Sequence, residues 1–224
     1  MPAVVLASAS PRRRELLALG GVEFTVRPGA ATETPLPHET PEALARRLSR
    51  EKAIAARQSG GEAERAVVLG ADTIVVLEGD VIGKPRDAAH AVELLQRLRG
   101  RTHRVLTALT VLDPAGGVAT DLVESAVPMR DYSDAEIAAY VATGDPLDKA
   151  GAYAIQHPRF QPVDLPRFTG CVANVMGLPV CAALRLLTPH GVAATLAHPP
   201  GDCQAYDRAA CPIAPKFFVN GSSG

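Results

Sequence analysis

"THRVLTALTVLDPAGGVATDLVESAVPMRD", residues 102–131, is the stretch that decides the fold. Two long β-rich segments, "THRVLTALTVLD" and "GVATDLVESAVPMRD", flank "PAGG", a Pro-Gly turn that predicts a hairpin. On either side of it, helices and strands alternate. "AVVLA" at 3–7 reads as a short buried strand, and 11–19 as a helix stopped by Gly20-Gly21. "VEFTV" at 22–26 reads as a strand, and Thr40-Pro41 starts a helix over 41–58. "AVVLGADTIVVLEGDVIGKP" reads as strand, break, strand, a turn at Glu78-Gly79-Asp80 and a short return. Asp87 caps a helix over 88–99, and Ser133 caps one over 134–142. "AGAYAIQ" and "CVANVMGLP" look strand-like on either side of an ordered loop at 157–170, and 179–187 forms the last helix. An antiparallel hairpin inside an alternating pattern predicts an α/β protein with a mixed sheet.

The 224 residues are 47% hydrophobic and 21% charged, enough for a sizeable core without staples. A formal net charge of −1 gives no sign of general binding to nucleic acid or to a membrane, so any positive site must be local. The apolar runs fall short of the ~18 residues that span a bilayer, and Pro2 to Ala9 is too short for a signal peptide. A cytoplasmic protein is expected. Cys171, Cys181, Cys203 and Cys211 contain no C-x-x-C pair, which argues against a zinc ribbon. Reduced thiols are expected, with a Cys203–Cys211 bridge tying the tail left open. Residues 190–224, rich in Pro and Gly, read as an irregular tail. The oligomeric state is open, a homodimer included.

The N-terminal helix carries an oddity. Ser10 is a good N-cap and Pro11 a good first residue, but Arg12, Arg13 and Arg14 follow. A helix N-terminus is already positive, and each nearby cation costs ~0.3–1 kcal/mol. The arrangement makes sense if an anion docks there, met by Arg12, Arg13 and the hydroxyls of Ser8 and Ser10. A solvated basic helix end balanced by Glu15 is the alternative. Asp72 sits in the apolar "VVLGADTIVVL", where a carboxylate is costly unless paired. It reads as a metal ligand or general base, or else as a turn or cap residue. Gly70 before it suggests a bulge or a close approach to a ligand. Taken alone, Glu33 and Lys52 read as solvated, Lys84 as a solvated lysine or a phosphate contact, and Gln156 as surface polarity or a reader of a base edge. A P-loop, H-E-x-x-H and G-x-S-x-G are all missing. The remaining inventory suits metal-assisted attack on a phosphoanhydride.

Taken together, "LASASPRRRELL", "EKA", "LGADTIVVL", "GKPRD", "LDKAGAYAIQ" and "VMGLP" resemble, in order and spacing, the Maf family of nucleotide pyrophosphatases over residues 3–188. The resemblance implies a domain at 1–188, with 189–224 an irregular extension. It implies an elongated mixed sheet flanked by helices around a central cleft, similar to inosine triphosphate pyrophosphatases. It further implies hydrolysis of nucleoside triphosphates to monophosphate and pyrophosphate with a divalent cation, Mg2+ or Mn2+. Ser8, Arg12, Arg13 and Lys52 would bind the triphosphate. Asp72 and Glu33 would serve catalysis and hold the metal, and Lys84 would neutralise charge on the leaving pyrophosphate. Thr73 and Gln156 would bear on base choice, in a form resembling the dTTP and UTP branch. "HPRFQPVDLPRFTG" after Gln156 departs from the family's Gly-rich stretch. The other expectations carried are a pyrophosphatase for modified purine nucleotides and a non-catalytic nucleotide-binding regulator of cell division.

Overall fold

The computed structural model describes residues 2–194. The expected tail beyond residue 194, with Cys203 and Cys211, lies outside the described residues. The structure is a mixed α/β fold. Its strands are β1 (Val4–Leu6), β2 (Thr25–Val26), β3 (Val67–Leu77), β4 (Asp80–Ile82), β5 (Thr102–Leu112) and β6 (Val118–Pro128). They form a six-stranded sheet in the order β2-β1-β3-β5-β6, with β4 paired to β3. β1 runs parallel to both β2 and β3, with Val4, Val5 and Leu6 beside Val67, Val68 and Leu69. β3 turns back on β4 antiparallel, so the sheet is mixed, as the central hairpin predicts.

The helices are α1 (Pro11–Leu19), α2 (Pro41–Gln58), α3 (Ala88–Leu98), α4 (Asp134–Val141), α5 (Val172–Val175) and α6 (Val180–Leu187). Four starts follow from capping chemistry. Ser10, Thr40, Asp87 and Ser133 each accept a hydrogen bond from the backbone N–H three residues on. Ser133 and Glu136 complete a capping box.

The described chain forms two compact units. The first comprises residues 2–73, 106–123 and 173–194, and the second 74–105 and 124–172. In the first unit β1, the start of β3 and the end of β5 bury Val5, Leu6, Val68, Leu69 and Leu109 together with Leu16, Leu17, Leu48 and Leu184. In the second, Leu94, Leu95 and Leu98 of α3 are buried, as are Ile137, Tyr140 and Phe160. There Tyr140 stacks on Phe160 with ring centroids 4.4 Å apart.

Four expectations are corrected. β3 runs unbroken through Gly70, Ala71 and Asp72, because Gly70 makes room for a helix without leaving the ladder. "AGAYAIQ" is not a strand. Gly151 and Ala152 have φ of 72° and 59°, so the chain turns at Ala150–Ala152 before it could extend. "CVANVMGLP" contains the short helix α5, closed by Gly177 at φ 110°. Both segments are buried apolar runs, and such runs do not by themselves separate helix from strand. "VEFTV" also shortens to the two residues of β2.

Candidate functional site

The site of the first unit is built on residues 70–73 of β3. Successive strand residues face opposite sides, so Gly70 and Asp72 share one face and Ala71 and Thr73 the other. A side chain at Gly70 would run into the carbonyl of Ser49 and the Ala53 methyl. Glycine therefore lets α2 lie directly on the strand. Ser49, Lys52 and Ala53 are one helical turn of that face. The close approach that Gly70 signals is thus by a helix, and it carries Lys52 to Asp72.

Asp72 is 6% exposed. Lys52 Nζ donates to Asp72 Oδ1 at 2.5 Å and to Glu33 Oε1 at 3.3 Å, so one ammonium is shared by two carboxylates. Burial pushes the Asp72 carboxyl above its ordinary pKa, with Lys52 and then Arg13 pulling it back. Glu33, by contrast, is open to water, with 71% of its side chain exposed. It sits on a loop pressed against α2, since a side chain at Gly29 would collide with the Lys52 main chain. One carboxylate is therefore desolvated and fixed, and the other solvated.

The opposite face is organised by Arg13. Its Nε donates to the Gly177 carbonyl at 2.8 Å, and its Nη1 to the Ala71 carbonyl at 2.8 Å and to Ser8 Oγ at 3.2 Å. Its Nη2 donates to Thr73 Oγ1 at 3.1 Å. Four of the five N–H groups of this guanidinium are committed to the protein. Desolvation lowers its pKa, opposed by Asp72. Thr73 Oγ1 also lies 2.9 Å from Thr107 Oγ1, whose hydroxyl donates to the Asn174 carbonyl at 3.1 Å. Arg13 and Thr73 thus join the N-terminus of α1, β3, β5 and the turn after α5. The arginine expected at a phosphate is, in the structure, a fork between backbone carbonyls. Arg12 is partly exposed, and its side chain makes no hydrogen bond or ion pair among the described residues.

The structure brings together Ser8, Arg13 and Thr73 on one side of β3, and Glu33, Lys52 and Asp72 on the other. Lys84, exposed just after β4, and Gln156, half-buried after the turn at Ala150–Ala152, belong to the second unit. Sequence reasoning missed Thr107, the carbonyls of Ala71 and Gly177, and Arg47 of α2. Backbone carbonyls leave no trace in a residue pattern. Arg47 had one weak signal, an acidic partner four residues on at Glu51.

The Maf-like protein family model matches residues 3–190. The chain belongs to this family. Among curated members, the dTTP/UTP pyrophosphatase of Geobacter sulfurreducens is 48% identical over 179 residues, covering 80% of this chain and 91% of its own length. The dTTP/UTP pyrophosphatase of Thermomicrobium roseum is 46% identical over 221 residues, covering 95% of this chain and 94% of its own. That share exceeds residues 3–190, so similarity to this Maf relative runs into the C-terminal extension. The solved Ham1 protein of Staphylococcus aureus aligns with 58% of this chain and 72% of its own at 14% identity, with a TM-score of 0.38. No helix among the described residues of this Maf-like protein is long and apolar enough to cross a membrane.

Proposed function

We propose that this Maf-like protein hydrolyses nucleoside triphosphates, dTTP and UTP preferred, to the monophosphate and pyrophosphate. The observation that carries the reading is Asp72, a buried carboxylate with a raised pKa, bound to a lysine it shares with Glu33. A raised carboxyl is a better proton acceptor than a free one, which suits a general base. The nucleotides come from the names of relatives at 46–48% identity.

In this reading a water oxygen attacks the α-phosphorus, Asp72 takes the proton that water loses, and the bond from the α-phosphorus to the bridging oxygen breaks. The electron pair leaves with pyrophosphate. Lys52 holds Asp72 in place and keeps positive charge beside it, and Arg12 meets phosphate oxygens at the start of α1.

Asp72 and Glu33 would hold Mg2+ or Mn2+. Lys52 takes one of the roughly four acceptor positions of the Asp72 carboxylate, so Asp72 could hold the ion and still accept a proton. No group of three His, Cys, Asp or Glu side chains gathers among the described residues. Two carboxylates with substrate phosphate and water completing the shell are the usual setting for Mg2+, so the donor set fits. Such a cation, when bound, offsets phosphate charge and polarises the phosphoryl group.

Lys84 and Gln156 are proposed on motif position alone, for charge neutralisation and base choice. Gln156→Ala should lower kcat/KM for dTTP by ~1–3 kcal/mol and spare a poor purine substrate. Equal loss on both would remove the base-reading role.

The deciding assay incubates the protein with each common nucleoside triphosphate and Mg2+ or Mn2+ and separates the products. Pyrophosphate should appear fastest from dTTP and UTP, and EDTA should stop it. Orthophosphate as the product, or nucleotide binding without turnover, would sink the reading.

A further inference from the structure

Arg47 lies on α2, five residues before Lys52, and matches none of the residues so far assigned to the chemistry. Its side chain is 18% exposed, and every one of its N–H groups is used. Nε and Nη2 form a fork on Glu39, at 2.7 Å to Oε1 and 2.9 Å to Oε2. Nη1 donates to Glu51 Oε1 at 3.1 Å. The other two hydrogens go to backbone carbonyls, Thr32 at 3.1 Å from Nη1 and Thr34 at 3.1 Å from Nη2. Those two carbonyls bracket Glu33.

A residue whose flanking carbonyls are both pinned by one rigid guanidinium has little backbone freedom left. Glu39 extends the hold, since its Oε2 also accepts the Leu36 N–H at 3.0 Å, and the Glu39 N–H donates to the Leu36 carbonyl at 3.0 Å. Arg47 draws the Glu39 carboxyl down to about 2, so the fork stays charged across the working pH range. The loop between β2 and α2 carries Glu33 on its exposed side, with few apolar anchors of its own, and Leu36 is 55% exposed. Without this fork, burial would not hold the loop.

We propose that Arg47 is a positioning residue, fixing the backbone on both sides of Glu33 so that its carboxylate stands beside Lys52 and Asp72, with Glu39 holding Arg47 in turn. The inference rests on the reading that Glu33 works with Asp72 in phosphoanhydride hydrolysis.

A double-mutant cycle tests it. Arg47→Gln should lower kcat by roughly 10- to 100-fold, the usual loss when a supporting partner of a site carboxylate goes. Introduced into Glu33→Gln, the same change should cost nothing further, because its effect passes through Glu33. Glu39→Gln, which weakens the fork from its other end, should give a smaller loss with the same dependence on Glu33, and it serves if Arg47→Gln does not fold. Hydrogen exchange at the Leu36 and Glu39 amides should quicken in both variants while exchange in β3 stays slow. An equal loss of kcat with and without Glu33, or unchanged exchange in residues 32–39, would overturn the proposal. Absence of turnover in the parent protein would instead strike the functional reading, and the exchange measurement would still decide whether Arg47 orders the loop.

Discussion

Arg12 and Arg13 are neighbours in sequence, yet their replacement by alanine should give opposite signatures. In Arg13→Ala, Ser8 keeps the Ser10 N–H as a donor and Thr73 keeps Thr107. The carbonyls of Ala71 and Gly177 lose the charged donors that meet them. Gly177 keeps the Thr73 hydroxyl, 3.4 Å away, so the Ala71 carbonyl is the acceptor left unpaired, at a cost of ~1–3 kcal/mol. In a chain of this length each kcal/mol moves Tm by ~2–4 °C, which places the fall at roughly 2–12 °C. Arg12→Ala removes a partly exposed side chain with no partner of its own, so stability should change by no more than about 0.5 kcal/mol. Its cost falls instead on KM for nucleotide and on kcat, since the charge is free to meet phosphate in ground and transition states. Thermal unfolding by circular dichroism, alongside steady-state kinetics on dTTP, reads both at once. If Arg13→Ala melted with the parent protein and Arg12→Ala did not, the assignment of fork and phosphate contact would be reversed.

Asp72→Asn should cut turnover by at least ~10²-fold while nucleotide still binds, as expected for loss of a general base. The Asp72 pKa is raised in the fold. Its contribution to stability is therefore fully present below its unfolded value of 3.8 and is lost as pH rises through the folded value. The asparagine variant should then melt no lower than the parent near neutral pH, and a clear fall in Tm would show that the Lys52 pair outweighs desolvation. In the second unit, burial drops His103 from 6.5 to about 3, beside Tyr153 at 2.8 Å. A depressed histidine gives stability that is complete above pH 6.5 and lost as pH falls toward 3. His103→Gln should flatten that slope in urea titrations, and an unchanged slope would mean that His103 is protonated in the fold.

The sheet was legible because its signals are local. The residues of the hairpin turn, and those of each cap at Ser10, Thr40, Asp87 and Ser133, lie within a few positions of one another. "AGAYAIQ" and "CVANVMGLP" were not legible, because burial gives the same apolar letters to a turn, a short helix and a strand. The carboxylates and Lys52 could be picked out by motif, and Asp72 by its apolar neighbours. The commitment of Arg13 to main-chain carbonyls could not. Arg12 and Arg13 both look like phosphate ligands until the carbonyls of Ala71 and Gly177 come into place around one of them. Arg47 stayed invisible for the same reason, since its meaning lies in two main-chain oxygens either side of Glu33.

The carbonyl that completes the Arg13 fork is separated from Arg13 by 164 positions in the chain. At roughly 5–20 residues per second, a ribosome makes Gly177 about 8–30 s after Arg13. Through that interval the guanidinium lacks at least one of its two backbone acceptors and must remain hydrated, whatever β1 and α1 have already formed. The setting of Ser8, Ala71 and Thr73 is therefore among the last features of the first unit to mature. Any chain that stops before Gly177, by stalling or by a premature stop codon, holds nearly all of the site's charged residues without the clasp that gives them a fixed arrangement.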